Sequence, residues 1–241
     1  MNHQFLEATP HGELREIFPH VFFVMGSFEL QAQGMEGVQF SRNMIVLREG
    51  SDLTLINSVR LTEEGLKTLD TLGHVKHIVK IGSHHNADDA FYLDLYNPKV
   101  LGLRGMEATS KVAIDEFVDN GSSLPVAGAS VFVFETSKTA EGLVFLDREG
   151  GILISCDALH NWVEADEFFN EKGAAKMKEW GFLKPANVGP GWINNSNPQP
   201  EEFQRLLELD FKHALCGHGT PLLETAHSAY RKTFQELGLV S

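Results

Sequence analysis

Gly82-Ser83-His84-His85-Asn86-Ala87-Asp88-Asp89 follows the apolar run Ile78-Val79-Lys80-Ile81 and precedes Phe91-Tyr92-Leu93-Asp94-Leu95-Tyr96, a stretch that reads as a helix. Two imidazoles, an amide and two carboxylates thus stand where a strand hands over to a helix. Layered α/β proteins gather ligands and catalytic groups at such strand ends, because loops there are free of packing duty. The same residues have a plainer reading. Asn86 is a good N-cap, and Asp88 and Asp89 in a first helical turn complement the helix dipole.

Working outward, the chain alternates strand and helix signals. Upstream, residues 21–25 form a short apolar run between Pro19 and Gly26, as a buried strand does. Residues 44–47 and 53–56 flank the turn 49–52 and predict a hairpin. Thr62 can cap a helix whose Leu66, Leu69 and Leu72 share a face, with Glu63 and Glu64 at its positive end and Gly73 as its stop. The run 77–81 then returns as a strand, and strand–helix–strand order predicts parallel pairing. Downstream, a helix should end before Pro98, with strands at 100–103, 129–134, 142–146, 151–155 and 213–216. Helices are expected over 170–180, from Pro200 onward and up to about residue 237, and 187–198 reads as a loop.

Composition narrows the function. The chain has 241 residues, enough for a large core, and no internal repeat, so one domain over 1–241 is expected. No apolar stretch reaches the ~20 residues of a membrane span. Residues 1–15 lack the layout of a signal peptide. Cys156 and Cys216 are too few for a disulfide framework, and a reducing cytoplasm is the expected location. The net charge is −13, and the densest basic run, 172–178, is flanked by Glu171 and Glu179. Nucleic-acid binders need a basic footprint to displace counterions, so a small molecule is the expected partner and nucleic acid or membrane is not. The oligomeric state is left open.

Polar residues follow expected strands again at 135–138, at 157–160 and at His218. Taken in order, these motifs resemble the metallo-β-lactamase superfamily over residues 19–221. The stretch from Arg42 to Asn57 resembles the family's early hairpin, and His84 to Asp89 its His-x-His-x-Asp-His motif. Gly151-Ile152-Leu153-Ile154-Ser155-Cys156-Asp157 is similar to the strand carrying the metal-bridging Asp. Leu215-Cys216-Gly217-His218-Gly219-Thr220-Pro221 is similar to the final His motif. The resemblance implies an α/β fold, the four-layered αβ/βα sandwich.

The departures from the pattern shape the functional expectation. With Asp88 on the family's Asp, His84 falls on the first His, Asn86 on the second and Asp89 on the third. The mid-chain His is also missing from 135–142, where Thr136 or Ser137 stands nearest. What the resemblance implies is then a carboxylate-rich metal set of His84, Asp88, Asp89, Asp157 and His218. Such a set would take manganese, iron or zinc, or no metal at all. The implied activity is hydrolysis of a small ester, lactone or thioester, with Asp88 or His160 handling protons. The rival is a binding or regulatory protein that keeps the fold without a working metal centre. On this alignment His85 points away from the site. Cys156 and Cys216 read as small buried apolar residues, with metal ligation as the alternative. The loop 189–198, with Trp162 and Trp192, is the expected substrate wall.

Overall fold

The structure, a computed structural model, describes residue 5 and residues 7–30, 34–107 and 109–241. The first half runs β1 (Arg15–Phe18), β2 (Val21–Glu29), β3 (Gln39–Glu49), β4 (Asp52–Ile56), α1 (Glu63–Leu72), β5 (His74–Lys80), α2 (Asp89–Tyr96), β6 (Lys99–Leu103) and β7 (Glu116–Val118). The second runs β8 (Ala129–Val133), β9 (Gly142–Leu146), β10 (Ile152–Ser155), β11 (Leu159–Trp162), α3 (Glu171–Glu179), β12 (Lys184–Val188), α4 (Pro190–Ser196), α5 (Pro200–Leu206), β13 (His213–Cys216) and α6 (Ala226–Glu236).

Among the described residues, β1 to β7 form a seven-stranded sheet in sequence order, and β13-β10-β9-β8 form a four-stranded sheet. The β3–β4 pair is the antiparallel hairpin expected from the turn, and β4 pairs parallel with β5 across α1. Thr62 caps α1 by accepting from Gly65 N at 3.3 Å. The expected loop 187–198 is instead the end of β12, paired with β11, followed by α4, whose Pro190 occupies the first turn.

Period-two alternation builds the layers. Val21 and Phe23 of β2 face the other sheet and share a core with Ile45, Val79, Val144 and Ile154. Phe22 and Val24 point the opposite way, onto Leu69 of α1 and Tyr92 of α2. On the smaller sheet Leu143 and Leu153 face outward to Phe203 of α5 and Tyr230 of α6. Helix, sheet, sheet and helix therefore stack in four layers, as a strand needs apolar cover on each buried face. Parallel β4 and β5, and parallel β10 and β13, bring polar loops together where their C-terminal ends emerge.

Candidate functional site

The register of β10 and β13 sets the geometry. Ser155 lies opposite Cys216, so Asp157 and His218, each two residues further on, leave the sheet side by side. Gly217 N donates to Ser155 O at 2.9 Å and Asn161 N to His218 O at 3.2 Å, which ties the two turns together. The loop after β5 crosses from the larger sheet. Gly82 bridges to Glu141, the Ser83 hydroxyl donates to Ala140 O at 3.0 Å, and the Lys80 ammonium donates to His85 O at 3.3 Å. This path delivers the His85 ring to the turns. Its Nε2 lies 3.1 Å from His218 Nε2 and 3.5 Å from Asp157 Oδ1, and His218 Nε2 lies 3.3 Å from the same oxygen. His160, on β11, places Nε2 3.9 Å from it.

Of the residues singled out in the sequence, the structure brings together Asp157, His160 and His218 and leaves His84, Asp88 and Asp89 outside the cluster. His84 is exposed, and His85 turns inward, the reverse of the expectation. The reason is local. Strand β5 ends at Lys80, so strand alternation does not carry through the bend at 83–84. Asp88 pairs with Arg42 and accepts from Arg60 N at 2.8 Å. Asp89 pairs with Lys80, the two side chains being 4% and 1% exposed. Both carboxylates are thus paired with buried cations of β3 and β5. Asn86 is not the helix cap either. Its amide donates to Ser83 O and to Thr109 O, and Asp88 occupies the cap position. Trp192 packs in the second core against Phe134 and Phe203, while Trp162 does wall the cluster, its ring 4.6 Å from that of His218.

The sequence reading missed His85 and Glu141. Glu141 is buried, and its Oε1 accepts from Asp157 N at 2.8 Å and Ala158 N at 2.9 Å, fixing the turn that carries Asp157. A carboxylate directly before a buried strand was its only signal.

Outer partners orient the ring of His218. Its Nδ1 lies 3.0 Å from Ser41 O; a carbonyl only accepts, so Nδ1 carries the hydrogen and Nε2 faces the cluster. Asn43 clamps the same turn, donating to Cys216 O at 2.8 Å and Gly219 O at 2.6 Å. Burial alone would raise the Asp157 carboxyl, but the facing His85 and His218 outweigh it and hold it well below the usual carboxylate range. Burial and the Asp157 charge push the Glu141 carboxyl well up, in the opposite direction to Asp157. Burial pushes His85 down and His160 down to about 3.

These donors fit a zinc-type ion. Atoms about 2.0–2.1 Å from a tetrahedral zinc stand about 3.3 Å from one another. The His85–His218–Asp157 separations of 3.1, 3.3 and 3.5 Å bracket that edge. The cluster also holds unsatisfied ring nitrogens. His85 Nδ1 and both ring nitrogens of His160 are buried without a partner among the described residues. Imidazole predominates over carboxylate here, against the carboxylate-rich set expected from the sequence, and imidazole suits zinc. Gly82 packs tightly at the edge, since a Cβ there would clash with Cys156 Sγ at 2.3 Å and Glu141 Oε2 at 2.6 Å. A cavity of about 510 Å³ is lined in part by Phe28, Arg42, Arg60, Asp88, Phe91 and Lys111, and by none of the four cluster residues.

No family model matches the chain, and no curated protein matches its sequence. Solved structures do match in shape. DIM-1 metallo-β-lactamase is 13% identical with a TM-score of 0.63, over 95% of this chain and 100% of that one. A metallo-β-lactamase from Pontibacter korlensis is 16% identical with a TM-score of 0.61, over 92% and 98%. The metallo-β-lactamase FIM-1 from Pseudomonas aeruginosa, in its mono-zinc form, is 9% identical with a TM-score of 0.62, over 98% and 99%. The likeness shows the fold, which is the metallo-β-lactamase fold.

Proposed function

Given the metallo-β-lactamase fold, we propose that the chain is a metal-dependent hydrolase of a small ester, lactone or thioester. One metal position is formed by His85, Asp157 and His218 and completed by His160. The observation that carries this reading is the triangle of donor atoms at 3.1, 3.3 and 3.5 Å, spaced as ligands of one tetrahedral ion are. A zinc-type ion there would supply charge to polarise the scissile carbonyl and to acidify water. The chain's own residues supply the rest. Ser41 O and Asn43 hold the His218 turn, and Glu141 holds Asp157 through its backbone. Burial keeps the His160 ring neutral, the form a metal takes, so a ligand's role suits it better than proton transfer. Asp88, tied to Arg42 and to Arg60 N, is poorly placed to carry protons. The cavity lined by Arg42, Arg60 and Asp88 has room for a small substrate, although none of the four proposed ligands lines it.

One observation favours a second reading, a binding protein that keeps the fold without the chemistry. Both acids of the first motif are engaged by Arg42 and Lys80 as structural ion pairs. Assays over a panel of esters, lactones and thioesters separate the two. Hydrolysis that needs zinc, stops with chelator, returns on reloading and falls more than about 100-fold in His218→Ala supports the enzyme. A zinc-loaded chain that cleaves none of them supports the binder.

A further inference from the structure

The cavity of about 510 Å³ contains a guanidinium that the fold positions and leaves without an acid. Arg60 lies four residues beyond the end of β4, and its backbone N–H donates to Asp88 at 2.8 Å. Its guanidinium carbon sits 4.4 Å from the centre of the Phe91 ring and 5.8 Å from that of Phe5. Aromatic faces hold a guanidinium by cation–π attraction, while its N–H edge stays available to an acceptor. Among the described residues no carboxylate pairs with the Arg60 side chain, in a chain whose acids outnumber its bases by 33 to 20. Arg42, the second guanidinium in the wall, lies over Phe28 at 4.6 Å and is already paired with Asp88. Lys111 adds a third cation, again without a carboxylate partner among the described residues. Other cavities offer the contrast. Those of about 570 and 680 Å³, beside β8 and beside α1, have neither lysine nor arginine in their walls.

We propose that this cavity binds a small-molecule monocarboxylate with an apolar body, its carboxylate on Arg60 and Lys111 and its body against Phe28 and Phe91. The planar fork of a guanidinium matches the two oxygens of a carboxylate, and the rings supply the apolar cover that small-molecule sites use. The acids of the wall select among anions. Asp88 is balanced by Arg42, but Glu7 and Glu29 line the same cavity as Arg60 and Lys111. A dianion such as a phosphate monoester meets twice the repulsion from them that a monocarboxylate does. None of His85, Asp157, His160 and His218 lines the cavity, so the site is independent of the metal reading.

Calorimetric titration of the chelator-treated full chain tests it, with phenylacetate, its neutral amide phenylacetamide and phenyl phosphate as probes. Removing metal first prevents the acids from binding an ion instead, so no result here bears on the metal reading. We expect phenylacetate to bind with a Kd below about 10 mM, the range open to a ligand of about ten heavy atoms. Phenylacetamide should bind about tenfold more weakly or worse, because it loses the charge-assisted hydrogen bonds. Phenyl phosphate, a dianion at about pH 7.5, should also bind more weakly than phenylacetate. Arg60→Gln should weaken phenylacetate about tenfold or more, and Lys111→Gln should weaken it by less. No binding of phenylacetate, equal binding of the amide, or an Arg60→Gln chain that binds as the unaltered one does overturns the proposal. Tighter binding of phenyl phosphate overturns the assignment to monocarboxylates. If Arg60→Gln does not fold, the ranking of the three probes on the unaltered chain, with Lys111→Gln, decides.

Discussion

His84 and His85 are adjacent in the chain, yet His84 is exposed and His85 lies 3.1 Å from His218. Motif order alone favoured His84, because it counts residues and takes no account of where the strand stops. The late motifs were readable for a physical reason. Asp157 and His218 follow short apolar strands that pair in parallel, so equal offsets from Ser155 and Cys216 put them together. His160 was visible only as a near neighbour of Asp157, and its orphaned nitrogens needed coordinates. If the three donors share an ion, His85→Ala should weaken zinc binding more than about 100-fold, beyond the effect of losing an outer partner. His84→Ala should leave binding within about threefold of the unaltered chain, because only ligands and their outer partners carry the larger effects. Equal losses in a competitive zinc titration would sink the assignment.

At the scale of elements, the strand–helix–strand order, the β3–β4 hairpin and α1 with its Thr62 cap were legible from periodicity and turn residues. Strands β7 and β11, of three and four residues, were too short to show a period. A further signal was present and went unused. Arg42 and Lys80 are themselves buried in β3 and β5, and a buried cation needs a carboxylate partner. Read that way, they claim Asp88 and Asp89 for the fold. Lys80→Met should therefore destabilise the chain by about 3–5 kcal/mol in urea unfolding, because it strands Asp89 in the interior. Lys80→Met combined with Asp89→Leu should recover most of that loss. A single variant as stable as the unaltered chain would show that the pair is not buried in solution.

Over the whole molecule, four layers follow from alternating apolar faces, and the site lies where the two sheets send out their loops. The cluster also gives the metal-free fold a pH dependence. Burial depresses His85 and His160, the latter to about 3, so below about pH 6.5 the unfolded chain binds protons that the folded one refuses. Their contribution is whole above that pH and is lost as pH falls toward the folded values, by up to about 1.4 kcal/mol per pH unit for each group. Urea midpoints of chelator-treated protein should drop between pH 7.5 and 5, and His160→Phe should flatten the fall. A profile unchanged by that substitution would contradict the buried neutral ring. The central claim concerns which atoms hold the ion, and zinc-edge anomalous diffraction from crystals of the zinc-loaded chain tests it most directly. The account predicts an anomalous peak about 2.0–2.1 Å from nitrogen atoms of His85 and His218 and an oxygen of Asp157. No peak there, or a peak bound instead by His84, Asp88 and Asp89, would contradict it.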